Sequence, residues 1–118
     1  MKESFVTNET TEHLAIVVDT YLTTPKDQLG PILEQLFTDD AVVHDDGRTY
    51  VGLDAISAWT DSTAAAFSFT RTIIDVTRRA NAAIVRARLE GTFPGSPVDL
   101  HHHFSLADDR ISALTICP

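Results

Sequence analysis

Asp45, Tyr21 and His102 are the side chains of this sequence best suited to moving a proton. Asp45 closes the short β-branched run Ala41-Val42-Val43-His44-Asp45, just before the turn-forming pair Asp46-Gly47. Strand parity with Ala41 and Val43 points it inward, and partial desolvation there would make its carboxylate a better proton acceptor near neutral pH. The same position also fits plain turn chemistry, since Asp readily caps turns. His102 lies in Val98-Asp99-Leu100-His101-His102-His103-Phe104-Ser105-Leu106, where period two groups it with Val98, Leu100, Phe104 and Leu106 on an apolar face. It is either a hydrogen-bonded core histidine or part of a pocket lining. Tyr21 falls on the apolar stripe of a helix; it either fills core volume or donates its hydroxyl to a substrate oxygen on which charge develops. Trp59 is core or the aromatic wall of a ligand cavity. His101 and His103 share the opposite strand face, but a third metal ligand is not recognisable, so they read as a solvated or interfacial pair and no metal is expected.

The elements that must carry these residues follow from periodicity. Leu14, Val17, Val18, Tyr21 and Leu22 recur at helical spacing between Glu12 and Leu22. Thr24-Pro25-Lys26-Asp27 reads as the start of a second helix, with Thr24 as N-cap and Pro25 at the first position, and Leu29, Ile32, Leu33 and Leu36 form its stripe. Gly30-Pro31 would delay or bend that helix. The strand 41–45 has a brief partner in Arg48-Thr49-Tyr50-Val51, and Leu53, Ile56 and Trp59 define a third helix. The rest of the chain is strand-like over 67–76, 83–93, 98–106 and 111–116, with turn-rich connections between. Ala83, Val85, Ala87 and Leu89 share one face of their strand, and Ile84, Arg86, Arg88 and Glu90 the other, the signature of a half-buried antiparallel sheet. Helices first and a meander afterwards predict an α+β fold with three N-terminal helices packed on a curved, mostly antiparallel sheet, the two layers enclosing a cone-shaped pocket.

At 118 residues the chain reads as a single domain, 1–118. Nine Lys and Arg against 17 Asp and Glu give a net charge of −8, which disfavours nucleic acid and anionic membrane as partners. Cys117 is the only cysteine, so a disulfide framework or thiolate zinc cluster is excluded and a reducing compartment fits. The N-terminus lacks the apolar block of a signal peptide, and no apolar run approaches the roughly 18 residues of a membrane span. A cytoplasmic location is the expectation. A phosphate-cradling glycine loop is not recognisable either, so no cofactor is expected.

Leu36-Phe37-Thr38-Asp39-Asp40-Ala41-Val42-Val43-His44-Asp45, followed by Gly52, Ala55-Ile56 and Trp59, resembles the nuclear transport factor 2-like superfamily, in its branch of SnoaL-like cyclases and ketosteroid isomerases. A second piece of the likeness is Gly91-Thr92-Phe93-Pro94-Gly95 with the strand through Phe104. The resemblance implies a small-molecule pocket in a cone-shaped α+β fold. It places Asp45 at the general base of the isomerases and Tyr21 at their oxyanion-donating tyrosine. His102 stands where they carry a protonated aspartic acid, and Thr60 stands where they extend a tyrosine network; both are departures.

The expected function is therefore proton transfer beside a carbonyl, as in an isomerase or cyclase, with Asp45 as base and Tyr21 and His102 as oxyanion donors. Trp59, Val43, Phe104, Leu106 and Val18 would line the pocket around a small apolar carbonyl compound. A non-catalytic ligand-binding or dimerisation domain is the competing expectation, because the fold hosts both. A homodimer through the outer sheet face is the expected assembly. An epoxide hydrolase built on Asp45, Asp46 and Arg48 ranks third, since adjacent aspartates point apart in strand geometry.

Overall fold

The computed structural model describes residues 16–118. Residues 16–23 are helical (α1), with Val18 and Tyr21 buried and Val17 and Leu22 packed against the same core. The Glu12-His13-Leu14 part of the expected helix lies outside the described residues. Thr24 does not cap a second helix: its hydroxyl donates to the Thr20 carbonyl at 2.6 Å, closing the end of α1 instead. The segment after it is not one helix. It divides into two 3-10 turns, Lys26–Gln28 and Gly30–Ile32, and a single α-turn, Leu33–Leu36 (α2). Gly30-Pro31 falls at the division, where proline fits the first position of a turn but cannot continue the preceding hydrogen-bond ladder. The apolar spacing is still used, because Leu29, Leu33 and Leu36 are all buried.

Six strands follow or interleave with one long helix: β1 (Phe37–Asp45), β2 (Arg48–Val51), α3 (Leu53–Ala66), β3 (Phe69–Arg79), β4 (Ala82–Gly91), β5 (Val98–Ala107) and β6 (Arg110–Cys117). They form a single sheet in the order β2-β1-β6-β5-β4-β3. All pairings are antiparallel except β1 with β6, which is parallel and aligns Val43 with Leu114 and Asp45 with Ile116. The fold is thus α+β with helices on one face of a mostly antiparallel sheet, as the sequence pattern predicts. β1 starts four residues earlier than its β-branched run, at Phe37, whose side chain is fully buried.

Two alternations set the faces. In β4 Val85, Ala87 and Leu89 are buried, and in β5 His102, Phe104 and Leu106 are, so both strands turn the expected residues inward. Register pairs His102 with Val85 and with Ile116, which sets the imidazole in the middle of the inner face. On the outer face Arg88 donates to both carboxylate oxygens of Asp99, at 2.9 and 3.4 Å. That pairing holds the Asp99 carboxyl below the ordinary range. His101 and His103 lie on this same outer face, with ring centroids 6.4 Å apart.

Helix α3 is anchored at both ends of its first turn. Gly52, at φ 88°, donates its N–H to the Ala41 carbonyl at 2.8 Å and accepts from the Ile56 N–H at 3.0 Å. The positive φ suits glycine, and the resulting corner carries α3 back over the sheet with Ile56, Trp59 and Thr60 buried. Among the described residues no helix is long and apolar enough to cross a membrane.

Candidate active site

Asp45, the last residue of β1, is partly buried, while Asp46 and Gly47 form the exposed turn beyond it. The Trp59 indole Nε1–H donates to Asp45 Oδ2 at 3.1 Å. One corner therefore unites two residues fourteen apart in the chain, because β1 ends beside the second turn of α3. Oδ1 of Asp45 accepts no hydrogen bond from a described residue. A carboxylate held by one oxygen is oriented while its other oxygen stays available to take a proton.

Lys26 was not singled out by the sequence, yet its ammonium lies 3.8 Å from the Trp59 ring centroid. It also donates to the Tyr21 hydroxyl at 3.0 Å. Tyr21 has no exposed surface, and its ring packs edge-on against Phe37 and Phe104 at centroid distances of 5.9 and 5.8 Å. Its oxygen thus meets Lys26, and Lys26 meets the cavity. Tyr21 itself does not line the cavity.

Arg71 is the second residue that periodicity alone did not flag. It stands on the inner face of β3 between Phe69 and Ile73, paired with Leu89, and its guanidinium carbon is 5.6 Å from the Tyr21 ring centroid. Nη1 donates to the Leu22 carbonyl at 2.8 Å, whereas Nε is buried without a partner. The signal for it was present: strand parity places this arginine among apolar neighbours, where a charge needs a reason.

His102 is 1% exposed and stacks on Phe104, with ring planes 13° apart. Burial, together with the nearby positive charges of Arg71 and Lys26, pushes its pKa down from the ordinary 6.5 to about 3; backbone groups of Val85 and Leu100 pull the other way. The imidazole is therefore neutral near pH 7. Its Nδ1 is buried with no hydrogen-bond partner.

These groups border a cavity of about 850 Å³. Asp45, Trp59, Lys26, Arg71 and His102 line it with an apolar wall that includes Phe67, Phe69, Phe93, Leu100 and Ile116. Among the residues expected to line the pocket, Trp59 does so. Val43 and Phe104 are sealed in the core beneath it, at 0% and 2% exposure, because they fill the layer between sheet and helices. Val18 and Leu106 border a different groove, between α1 and the end of the β3–β4 hairpin. Asp46 and Arg48 reach the cavity rim from the β1–β2 turn. Among the described residues no group of three or more His, Cys, Asp or Glu side chains could hold a metal ion.

Helices packed on one face of a six-stranded, mostly antiparallel sheet, with a half-buried carboxylate beside a cavity, form the nuclear transport factor 2-like fold. Residues 27–114 match the model of the SnoaL-like domain, and the chain belongs to that family. No curated protein matches it. Among solved structures it is similar to a Sinorhizobium meliloti protein assigned as a polyketide cyclase, at 35% identity and TM-score 0.79, over 85% of this chain and 92% of that one. A Catenulispora acidiphila protein with a ketosteroid isomerase-like fold is 20% identical at TM-score 0.74, over 86% and 84% of the two chains. An epoxide hydrolase from M. tuberculosis shares the fold at 14% identity and TM-score 0.72, over 88% and 80%.

Proposed function

We propose that this protein is an enzyme that transfers a proton at the carbon next to a carbonyl group, as an isomerase or a cyclase does, with Asp45 as the base. The observation that carries the reading is the Trp59-held carboxylate of Asp45 at the edge of an apolar cavity whose wall also carries three cationic side chains. Removal of the proton by Asp45 leaves an enolate, whose oxygen needs stabilisation as charge builds. Lys26, Arg71 and the neutral imidazole of His102 are the groups that border the cavity and can supply it. Tyr21 acts one step back, fixing Lys26 through its hydroxyl. Tyr21 does not line the cavity, so the oxyanion role that the resemblance implies for it falls to a lining group instead. The likeness to an assigned polyketide cyclase supports this class of chemistry over simple ligand storage.

The test is the conjugation of a β,γ-unsaturated ketosteroid, followed by ultraviolet absorbance, and solvent-deuterium uptake at the α-carbon of smaller aromatic ketones, followed by NMR. The native protein is expected to catalyse one or both, and Asp45→Asn to lose about 10²–10⁴-fold, the usual contribution of a positioned base. An undiminished rate in Asp45→Asn overturns the assignment of the base. Ligand binding without exchange in the native protein overturns catalysis and leaves a binding domain.

A further inference from the structure

The cavity wall carries three cationic side chains, Lys26, Arg48 and Arg71, and two side-chain carboxylates, Asp45 and Asp46. Lys26 and Arg71 lie on one region of its wall, with Nζ at 5.2 Å and the guanidinium carbon at 5.6 Å from the same Tyr21 centroid. Neither forms an ion pair with a described residue, and Arg71 Nε is buried and unpartnered. Two cations bordering one partly desolvated cavity repel each other, and an enolate, which exists only during turnover, would not relieve this in the ground state. A permanent anion on the ligand would. A chain of net charge −8 thus places three of its nine Lys and Arg residues on the wall of this cavity.

We infer that the natural ligand carries a carboxylate in addition to its reacting carbonyl, and that Lys26 and Arg71 hold this carboxylate while the apolar wall takes the rest of the molecule. Arg71 contributes a guanidinium that the Leu22 carbonyl holds through Nη1, and Lys26 adds a point charge whose position is fixed by Trp59 and Tyr21. Asp45 remains at the indole N–H edge of Trp59, apart from the ring face that Lys26 covers. The substrate class is thus an aromatic or polycyclic oxo acid. This inference rests on the same cavity as the proposed reaction, and anion recognition can be measured without turnover.

The experiment compares cinnamate with its uncharged isostere cinnamamide by calorimetric titration of the native protein near neutral pH. Cinnamate is expected to bind at least tenfold more tightly, with a preference that shrinks as salt is raised. Arg71→Gln and Lys26→Met are each expected to remove most of that preference while cinnamamide affinity stays within a few-fold, and Arg71→Lys to restore part of it. Lys26 lies on a short surface turn, so Lys26→Met keeps the test open if Arg71 variants fold poorly. Equal affinities, a preference for the amide, or binding of neither ligand overturns the assignment. Asp45→Asn separates the two readings: it is expected to bind cinnamate at least as well as the native protein. A protein that prefers cinnamate yet exchanges no α-proton keeps the carboxylate site and loses the proposed reaction.

Discussion

His102 offers a perturbation whose size follows from the structure. Its pKa is about 3 when folded and the ordinary 6.5 when exposed, so the folded state binds its proton far more weakly than the unfolded state. A depressed folded pKa means full stability above the unfolded value and progressive loss as pH falls from about 6.5 toward about 3. Near pH 5 the unfolded imidazole is almost fully protonated and the folded one is not, a linkage penalty of about 2 kcal/mol that grows to about 5 kcal/mol below both pKa values. Replacing His102 by Leu removes this penalty and also removes a buried Nδ1 that has no partner. Urea unfolding followed by the fluorescence of Trp59, the single tryptophan, measures both effects. At pH 7 the variant is expected to be within about 1 kcal/mol of the native protein, because lost packing and the removed orphan nitrogen offset each other. Near pH 5 it is expected to gain about 2 kcal/mol relative to the native protein. His44 and His103, on the outer face, are present in both proteins and cancel in the comparison. Parallel stability curves between pH 7 and pH 5 would refute the claim that His102 is buried and neutral.

Tyr21→Phe deletes a hydroxyl that meets Lys26 and no open cavity surface, so turnover is expected to fall less than about tenfold and stability by about 1 kcal/mol. A loss of about 10²–10³ in turnover with unchanged ligand affinity would show instead that the hydroxyl reaches the substrate oxygen directly. Gly91→Ala tests the close crossing of β3 and β4: an added Cβ would fall 2.1 Å from the Ser68 carbonyl oxygen and 2.6 Å from Phe69 Cα. Backbone cannot yield as a flexible side chain can, and the variant is expected to lose about 3 kcal/mol or more, read as a lowered urea midpoint. An unchanged midpoint would mean that the two strands separate there at little cost.

The inward faces of β4 and β5 were legible because period two leaves no choice once one face is apolar: Val85, Ala87 and Leu89 and then His102 and Phe104 had to share it. The same rule marked Asp45 as inward from β1. It was less decisive between Thr24 and Leu36, where a capping motif and an apolar stripe pointed to one helix, while the Thr20 carbonyl claimed the Thr24 hydroxyl and Pro31 divided the segment. Tyr21, Val43 and Phe104 were recognisable as apolar-face residues. Periodicity could not say which of these stop at the core and which border the cavity, since both kinds lie on the same face.

By itself the sequence determined the alternation of helices and strands, the face of each strand that turns inward, and a carboxylate at the end of the first strand, because each depends on neighbours a few positions away. Only the tertiary structure decided that β1 lies parallel to β6, that Trp59 donates to Asp45, and that Lys26 and Arg71, forty-five residues apart, flank one tyrosine ring. Those contacts join segments whose approach is set by packing of the whole core, and local spacing carries no record of it.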